Sequence, residues 1–584
     1  MNTVLDNTSL ALDAGLPPAQ DHPETSGRLR AGVPTLVIIA VSLILALPII
    51  RFGLPFGHDA VEHLSWYHGF SAQLWSGEAY PRWLLEMNSG LGSPDLFVYG
   101  PLPYYAAAAF RVFSSGLGWE TRELGLSIWL ALCLSGIAAY LWLAAVVGGR
   151  LAPTIAAVIY MLAPYHLKTD LYTRSALAEF WAFAWMPLIL YFTTRLMKGH
   201  GTSAIAGLSV SYGCLLATHL FTALLFSPIA LIYALFLAPG FTGRYTVAIK
   251  VTLGLLLGAA LSGIYLLPAL AWQKYISPYK LIESRPELYR FDQFFLFSSR
   301  ISSDPFLRTV SWLTAWTALV AAGAFAVACQ VKGQKLRREV TFWAIVAAIG
   351  VIMMLPLSSF IWQRIPQLRA IQFPWRFNTI LVLSLAVLVG LAVDSLRKQR
   401  NRLKVGIAVC TLFLILGWIV PTRRSMASQR SWVRKGEPYS QDYLITAWAQ
   451  WTSPSLLTPL GVKEIAHEGG DTKLLSDNNS AKLIKWTARS IEFQAVSDSD
   501  TWVTIKQFYC PGWVAMLASG QVLALKPHSP DGLMSVRVPV GNNDVRLILP
   551  RGKAEILGAE ISGIAGLLII VLLGSGFKRS VPAE

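Results

Sequence analysis

Apolar runs of roughly membrane-crossing length, broken by short charged turns, set the rhythm of this chain. They occupy 33–52, 124–147, 151–165, 180–194, 203–217, 219–238, 247–271, 309–330, 341–356, 377–395, 405–421 and 556–576. A hydrocarbon layer of about 30 Å takes about 20 apolar residues in a helix. The pattern therefore predicts a mainly α, polytopic membrane protein with about 12 transmembrane helices. One further stretch, 101–117 (PLPYYAAAAFRVFSSGL), is shorter and broken by proline and Arg111. It reads as a re-entrant or interface-lying helix.

Charge gives these spans a direction. With 101–117 left out, one set of turns holds Arg150, then Arg195 and Lys198, then Arg244 and Lys250. The same set continues with Lys332, Lys335, Arg337 and Arg338, then Arg397, Lys398, Arg400, Arg402 and Lys404, and ends at Lys578 and Arg579. Basic turns face the cytoplasm in multi-pass proteins, so both termini are expected there. Counting 101–117 as a span would move every later cluster to the other side.

Composition agrees, with 54% hydrophobic and 14% charged residues, against about a quarter charged in soluble domains. The basic turns account for the net charge of +16, so no nucleic-acid partner is inferred. No nucleotide loop or zinc spacing is present. Of the five cysteines only Cys510 lies outside an apolar run, which leaves it no external disulfide partner within the chain.

The first 32 residues are polar and read as a disordered cytoplasmic tail, followed by a membrane module over 33–421. Outer regions fall at 53–123, 166–179, 272–308, 357–376 and, much the largest, 422–555. The last of these is β-rich from about 485. Trp502-Val503-Thr504-Ile505-Lys506 and Val536-Arg537-Val538-Pro539-Val540 alternate in polarity, between turn signals such as Pro511-Gly512 and Asp531-Gly532. This predicts a small extracytoplasmic β-sandwich-like domain, then a final helix over 556–577 and a cytoplasmic tail over 578–584.

Ionisable residues gather in the outer regions. His58-Asp59-Ala60-Val61-Glu62-His63 places Asp59, Glu62 and His63 on one face if helical. Such a group suits a general base or a divalent cation near Asp59, while a solvated amphipathic face is the plainer reading. Arg82, flanked by Tyr80, Pro81 and Trp83, suits a lipid phosphate. Residues 166–179 hold His166, Lys168, Asp170, Arg174 and Glu179 in a short loop. Arg174 and Glu179 either pair only with each other or serve a site. His219 sits where two apolar runs meet, and Arg364, Arg369 and Arg376 share an outer loop. Three outer arginines run against the inside preference, which points to an anionic ligand such as phosphate. Lys274 opens a cationic, aromatic-rich stretch over 272–308.

Several of these motifs also resemble a known family. The run His58-Asp59, Gly77, Tyr80-Pro81-Arg82-Trp83, Gly90 and Gly92, and Tyr99-Gly100-Pro101 carries the likeness. So do Tyr172 to Glu179, Leu266-Leu267-Pro268 and Phe373 to Phe377. These resemble bacterial multi-pass proteins described as 6-pyruvoyl-tetrahydropterin synthase-related membrane proteins. Tyr509 to Trp513 with Gly558-Ala559-Glu560 is similar to YfhO-like membrane proteins. Both groups look like the GT-C superfamily of membrane glycosyltransferases.

The resemblance implies a bacterial cytoplasmic (inner) membrane enzyme of the cell envelope. It would transfer sugar from a polyprenyl-phosphate donor at the extracytoplasmic face to a glycan, lipid or protein acceptor. It maps the catalytic centre onto Asp59 and a second acidic site onto Glu179, with Tyr172 and Arg174 matching a run before that site. Joined to the reading of the residues, this gives Asp59, Glu62 and Glu179 as catalytic candidates and Arg82, Arg174, Arg376 and Lys274 as donor-phosphate candidates. His58, His63, His219 and Arg369 are further candidates. Membrane lipids are expected partners and the cofactor is open. The rival expectations are a lipid or polysaccharide transporter and a non-catalytic envelope scaffold.

Overall fold

A computed structural model describes residues 25–55, 57–113, 120–275, 290–398, 473–476, 481–529 and 531–578, with scattered positions between 402 and 424. The expected tail over 1–32 lies outside these residues except where the first helix begins at Thr25. Most of 422–485, the central part of 272–308 and the end beyond 578 also lie outside them.

Among the described residues, eight helices are long and apolar enough to cross a bilayer. They are Gly32–Phe52, Glu120–Val147, Leu177–Met197, Leu220–Leu237, Thr242–Leu261, Pro305–Ala328, Pro374–Lys398 and Lys553–Ser575. Four of the twelve expected spans behave differently. Thr202–Thr218 is a shorter apolar helix of 17 residues. Gln334–Met353 continues into Pro356–Arg364 only after an 88° bend. The run 405–421 falls outside the continuously described residues. The run 151–165 yields the 12-residue Leu151–Leu162, a rise of about 18 Å. It stops because Pro164 holds Ala163 in a non-helical conformation (φ −53°, ψ 134°). The chain then widens into a π-helix over Tyr165–Arg174, a rare form that is often found at functional sites.

The expected interface-lying segment is the helix Leu102–Ala109 with one 3-10 turn, Phe110–Phe113. Together they reach about 20 Å, too little to cross the bilayer unaided.

Leu177–Met197 and Pro374–Lys398 are the most deeply buried of the long helices. Glu120–Val147 packs between Thr25–Phe52 and Leu177–Met197, while Asn378–Lys398 lies against Pro305–Ala328, Gln334–Met353 and Leu151–Leu162. The final helix instead turns Ile564, Leu567, Ile570 and Val571 outward, a surface that lipid tails solvate. Basic turns collect at one end of the bundle. Lys198 donates to the Ala145 carbonyl at 2.5 Å, Arg338 bonds the Phe236 carbonyl, and Lys335 acts on the Lys198 charge.

At the other end the described residues form an antiparallel β-sandwich of nine strands. Its strands are β1 (Leu474–Ser476), β2 (Ala481–Thr487), β3 (Ser490–Ser497), β4 (Thr501–Phe508), β5 (Val514–Leu517), β6 (Val522–Leu523), β7 (Leu525–Pro527), β8 (Leu533–Val538) and β9 (Gly541–Ile548). One sheet runs β1-β4-β8-β7 and the other β2-β3-β9-β5-β6. Alternation puts Ile491, Phe493 and Ala495 of β3 inside, opposite Val503 and Ile505 of β4. Trp83, Leu91 and Phe97 of the first outer region join this core, and the Phe508 N–H donates to the Leu91 carbonyl at 2.8 Å.

Candidate functional site

Two outer segments are welded back to back. The His58 and Asp59 amides donate to the Thr173 and Arg174 carbonyls at 3.2 and 2.7 Å, and the Ser175 hydroxyl donates to the Pro55 carbonyl at 2.5 Å. Gly57 permits this approach, since a Cβ there would lie 2.4 Å from the Arg174 carbonyl carbon. Ser175 turns the chain out of the π-helix in the left-handed region, at φ 56°. Asp59 occupies the N-cap position of Ala60–Trp75, yet its side chain caps no backbone amide. Its carboxylate is instead free to meet Arg174.

Arg174 is the hub. Its Nη2 lies 3.5 Å from Asp59 Oδ2, and its Nη1 lies 2.7 Å from Asp170 Oδ1 and 2.8 Å from Glu179 Oε2. Glu179 is buried, accepts from the Tyr165 hydroxyl at 2.6 Å, and accepts from Arg376 Nε at 3.2 Å. Arg174 and Glu179 therefore do pair, but within a larger group that gathers distant residues. Three carboxylates face two guanidiniums, and burial, with the neighbouring Glu179 charge, holds the Asp170 carboxyl well above the usual carboxylate range. Asp170 and Glu179 are closed off from solvent, whereas the Asp59 side chain is 42% exposed. Only Asp59 of the three carboxylates is open to a reactant.

Aromatic rings frame the cations. The Arg174 guanidinium lies 4.7 Å from the Trp375 ring centre, and that of Arg376 lies 5.0 Å from both Phe221 and Phe373. His219 feels the charges of Arg376, Glu179 and Arg174, and its Nδ1 lies 2.7 Å from the Thr222 hydroxyl. Tyr99 is brought in by Gly100, where a Cβ would lie 2.3 Å from the Thr218 carbonyl oxygen. The charges of Asp59, Arg376, Arg174 and Glu179 all act on the Tyr99 hydroxyl.

Around Asp59 the histidines are held neutral. Burial lowers His63 to about 4, and its Nδ1 meets the Tyr104 hydroxyl at 2.8 Å. His58 packs edge-on against Phe306 at 5.0 Å, and desolvation lowers its pKa as well. Glu62, one turn on, is exposed at its surface, but partial desolvation and the Asp59 charge raise its pKa.

A divalent cation fits this arrangement poorly. Among the described residues no group of three or more His, Cys, Asp or Glu is placed to share one, and Arg174 already occupies the space between the carboxylates.

Three expected residues stand apart. Arg82 is buried against Glu555 at 3.0 Å, donates to the Ile264 carbonyl at 2.6 Å and stacks on Tyr80. Lys274 is exposed, with its ammonium 4.8 Å from the Tyr275 ring centre. Arg369 is exposed and bonds the carbonyls of Trp362 and Gln363. Conversely, Asp170, Tyr165, Trp375, Phe221 and Tyr99 join the site without having been singled out for it. Trp375 and Asp170 lie inside motifs already marked by Arg376 and Arg174, so adjacency was their signal. Tyr165 and Phe221 offered none.

Comparison with known proteins gives one family. The model of the family described as "6-pyruvoyl-tetrahydropterin synthase related domain; membrane protein" matches residues 96–431. No curated protein matches the chain. Among solved structures, arabinofuranosyltransferase AftD from Mycobacteria aligns at 18% identity and a TM-score of 0.45, over 67% of this chain and 27% of that one. The Archaeoglobus fulgidus oligosaccharyltransferase in its apo form aligns at 15% identity and a TM-score of 0.41, over 72% of this chain and 58% of that one. The chain thus spans about a quarter of the first protein's length and less than two thirds of the second's.

Proposed function

The chain belongs to the 6-pyruvoyl-tetrahydropterin synthase-related family of membrane proteins, and from that premise we propose that it is a GT-C-type glycosyltransferase of the bacterial cytoplasmic membrane. It would take sugar from a polyprenyl-phosphate donor at the extracytoplasmic face and pass it to a hydroxyl of an envelope glycan, lipid or protein. The observation that carries this reading is one open carboxylate, Asp59, beside two guanidiniums pinned by buried acids.

Asp59 accepts the proton of the acceptor hydroxyl as its oxygen attacks the anomeric carbon. The bond from that carbon to the phosphate oxygen breaks, and the electron pair leaves with the lipid phosphate. Arg174 and Arg376 stabilise the added phosphate charge without moving, because Asp170, Glu179 and the Ile371 carbonyl already hold them. The helices Leu177–Met197, Leu220–Leu237 and Asn378–Lys398 begin within a few residues of the cluster, and their positive ends add to the same field.

Basic turns at the opposite end favour placing the site outside the cytoplasm. A transporter would string ionisable groups along a path through the spans, whereas Asp59, Arg174, Glu179 and Arg376 gather at one end.

The test is Asp59→Asn in membranes supplied with radiolabelled polyprenyl-phosphate sugars. Loss of a general base lowers turnover by about 10²–10⁴-fold, with the thermal midpoint unchanged because Asp59 is half open. Full transfer by the variant would remove Asp59 from the chemistry.

A further inference from the structure

The three outer arginines of 357–376 divide between two places. Arg376 is buried in the site, while Arg364 and Arg369 lie outside it on an exposed elbow. We infer that this elbow, residues 356–371, is a docking surface for anionic phospholipid head groups at the membrane boundary.

Three observations support it. First, the elbow leaves the apolar helix Gln334–Met353 at 88°, at the end where that helix stops. A segment perpendicular to a span, at the level where the span ends, lies along the interface. Second, its exposed apolar side chains continue the outward face of the span. Ile345, Ile349 and Ile352 face out from the helix, and Leu357, Phe360 and Ile365 carry the same exposure around the corner at 60%, 57% and 41%. An apolar strip continuous with a lipid-facing surface is solvated by the same lipid.

Third, cations flank that strip. Arg364 and Arg369 are exposed, and among the described residues neither has a salt bridge to an acid. Guanidiniums beside an interfacial apolar face suit lipid phosphates.

The elbow is also fixed at both ends. Trp362 is buried, donates to the Met353 carbonyl at 3.1 Å and stacks on Phe291 at 5.6 Å. At the far end the Ile371 carbonyl accepts from Arg376 Nη1 at 2.7 Å. Head groups held here would therefore sit on an element tied directly to a site arginine. The inference does not depend on the transfer reading, since it concerns only where the elbow lies and what it holds.

The experiment uses the full chain in nanodiscs of mixed phosphatidylglycerol and phosphatidylcholine, with native cysteines replaced by serine. A bimane label is placed by Phe360→Cys and, as a control on the β-sandwich, by Val540→Cys. Acyl chains brominated on one lipid class at a time report which lipid touches the label. Quenching at position 360, absent at 540, is expected. It should favour the phosphatidylglycerol bromide by up to about fivefold per arginine. The preference should fall toward one in Arg364→Ala with Arg369→Ala. Arg364→Ala alone, which breaks no backbone contact, should roughly halve it on a logarithmic scale. Quenching of 360 by aqueous iodide but by neither bromide would overturn the inference, and so would equal quenching by both lipids that ignores the arginine substitutions.

Discussion

Two buried clusters join arginines to glutamates across long stretches of chain, and only one has the makings of a reaction centre. At the junction with the β-sandwich, Glu555 receives Arg82 at 3.0 Å and Arg489 at 2.7 Å, while Glu78 lies 3.8 Å from Arg489. Two acids face two bases there, and no charge is left to act on anything else. In the outer cluster three acids face two bases, and one of those acids, Asp59, reaches solvent while lying 3.5 Å from Arg174. A closed, neutral network fastens parts together. A network with one open acid and two immobilised cations holds a field that a reactant can use.

The sharpest way to break this contrast is to remove the acid at the heart of each cluster. Glu179→Ala strands Arg174 and Arg376 with too few partners in a buried setting. A loss of about 3–5 kcal/mol is expected, read as a lowered thermal midpoint in detergent together with abolished transfer. An unchanged midpoint would mean that water already serves both guanidiniums. Glu555→Gln should cost less, about 2 kcal/mol, because Arg489 keeps part of its solvent. Its signature is faster proteolytic clipping of the β-sandwich at near-normal transfer. Lost transfer with the sandwich still protected would give the junction a direct part in the chemistry.

The same contrast explains what could be read ahead of the structure. Eight of the twelve expected spans were legible as long apolar runs, and sandwich strands were legible from alternation, whereas the apolar run 151–165 gave only a short helix. The gathering of the candidate cluster was legible through topology, since placing every basic turn at one end left Asp59, Arg174, Glu179 and Arg376 together at the other. Arg82 was not. Its aromatic neighbours Tyr80 and Trp83 look like the Phe373 and Trp375 that flank Arg376, and local context cannot separate them. What separates them is Glu555, 473 positions away. The break at Pro164 was visible as a residue, but the π-helix after it depends on the weld to 55–59, which no local pattern announces. Trp83, Leu91 and Phe97 likewise sit in the first outer region with no local sign of their role, although they are core residues of a domain encoded some 400 residues later.

A smaller effect tests how closely the Asp59 helix is packed. His63 is buried against Tyr104, and its folded pKa of about 4 lies below the ordinary value of 6.5. Between those values the unfolded chain binds a proton that the folded chain refuses, so stability falls as pH drops through that window. From pH 7 to pH 5 the loss should be about 2 kcal/mol. The thermal midpoint of His63→Asn should lack this share of the slope. Equal slopes in the two proteins would place His63 in contact with water.

The smallest expected change concerns the weld itself. Ser175 holds the Pro55 carbonyl through its hydroxyl while its backbone sits in the left-handed region. Ser175→Ala keeps the strain and loses the bond, a cost of about 1 kcal/mol. Ser175→Gly loses the same bond but relieves about 1 kcal/mol of left-handed strain, so its midpoint should stay near that of the parent. Both substitutions let the Asp59 segment drift from Arg174, and turnover should fall by about tenfold in each. If turnover instead followed the midpoint, falling in Ser175→Ala and not in Ser175→Gly, the weld would matter for stability alone. Equal losses of turnover at unequal stability would show that the distance between the open carboxylate and its cation is what this joint sets.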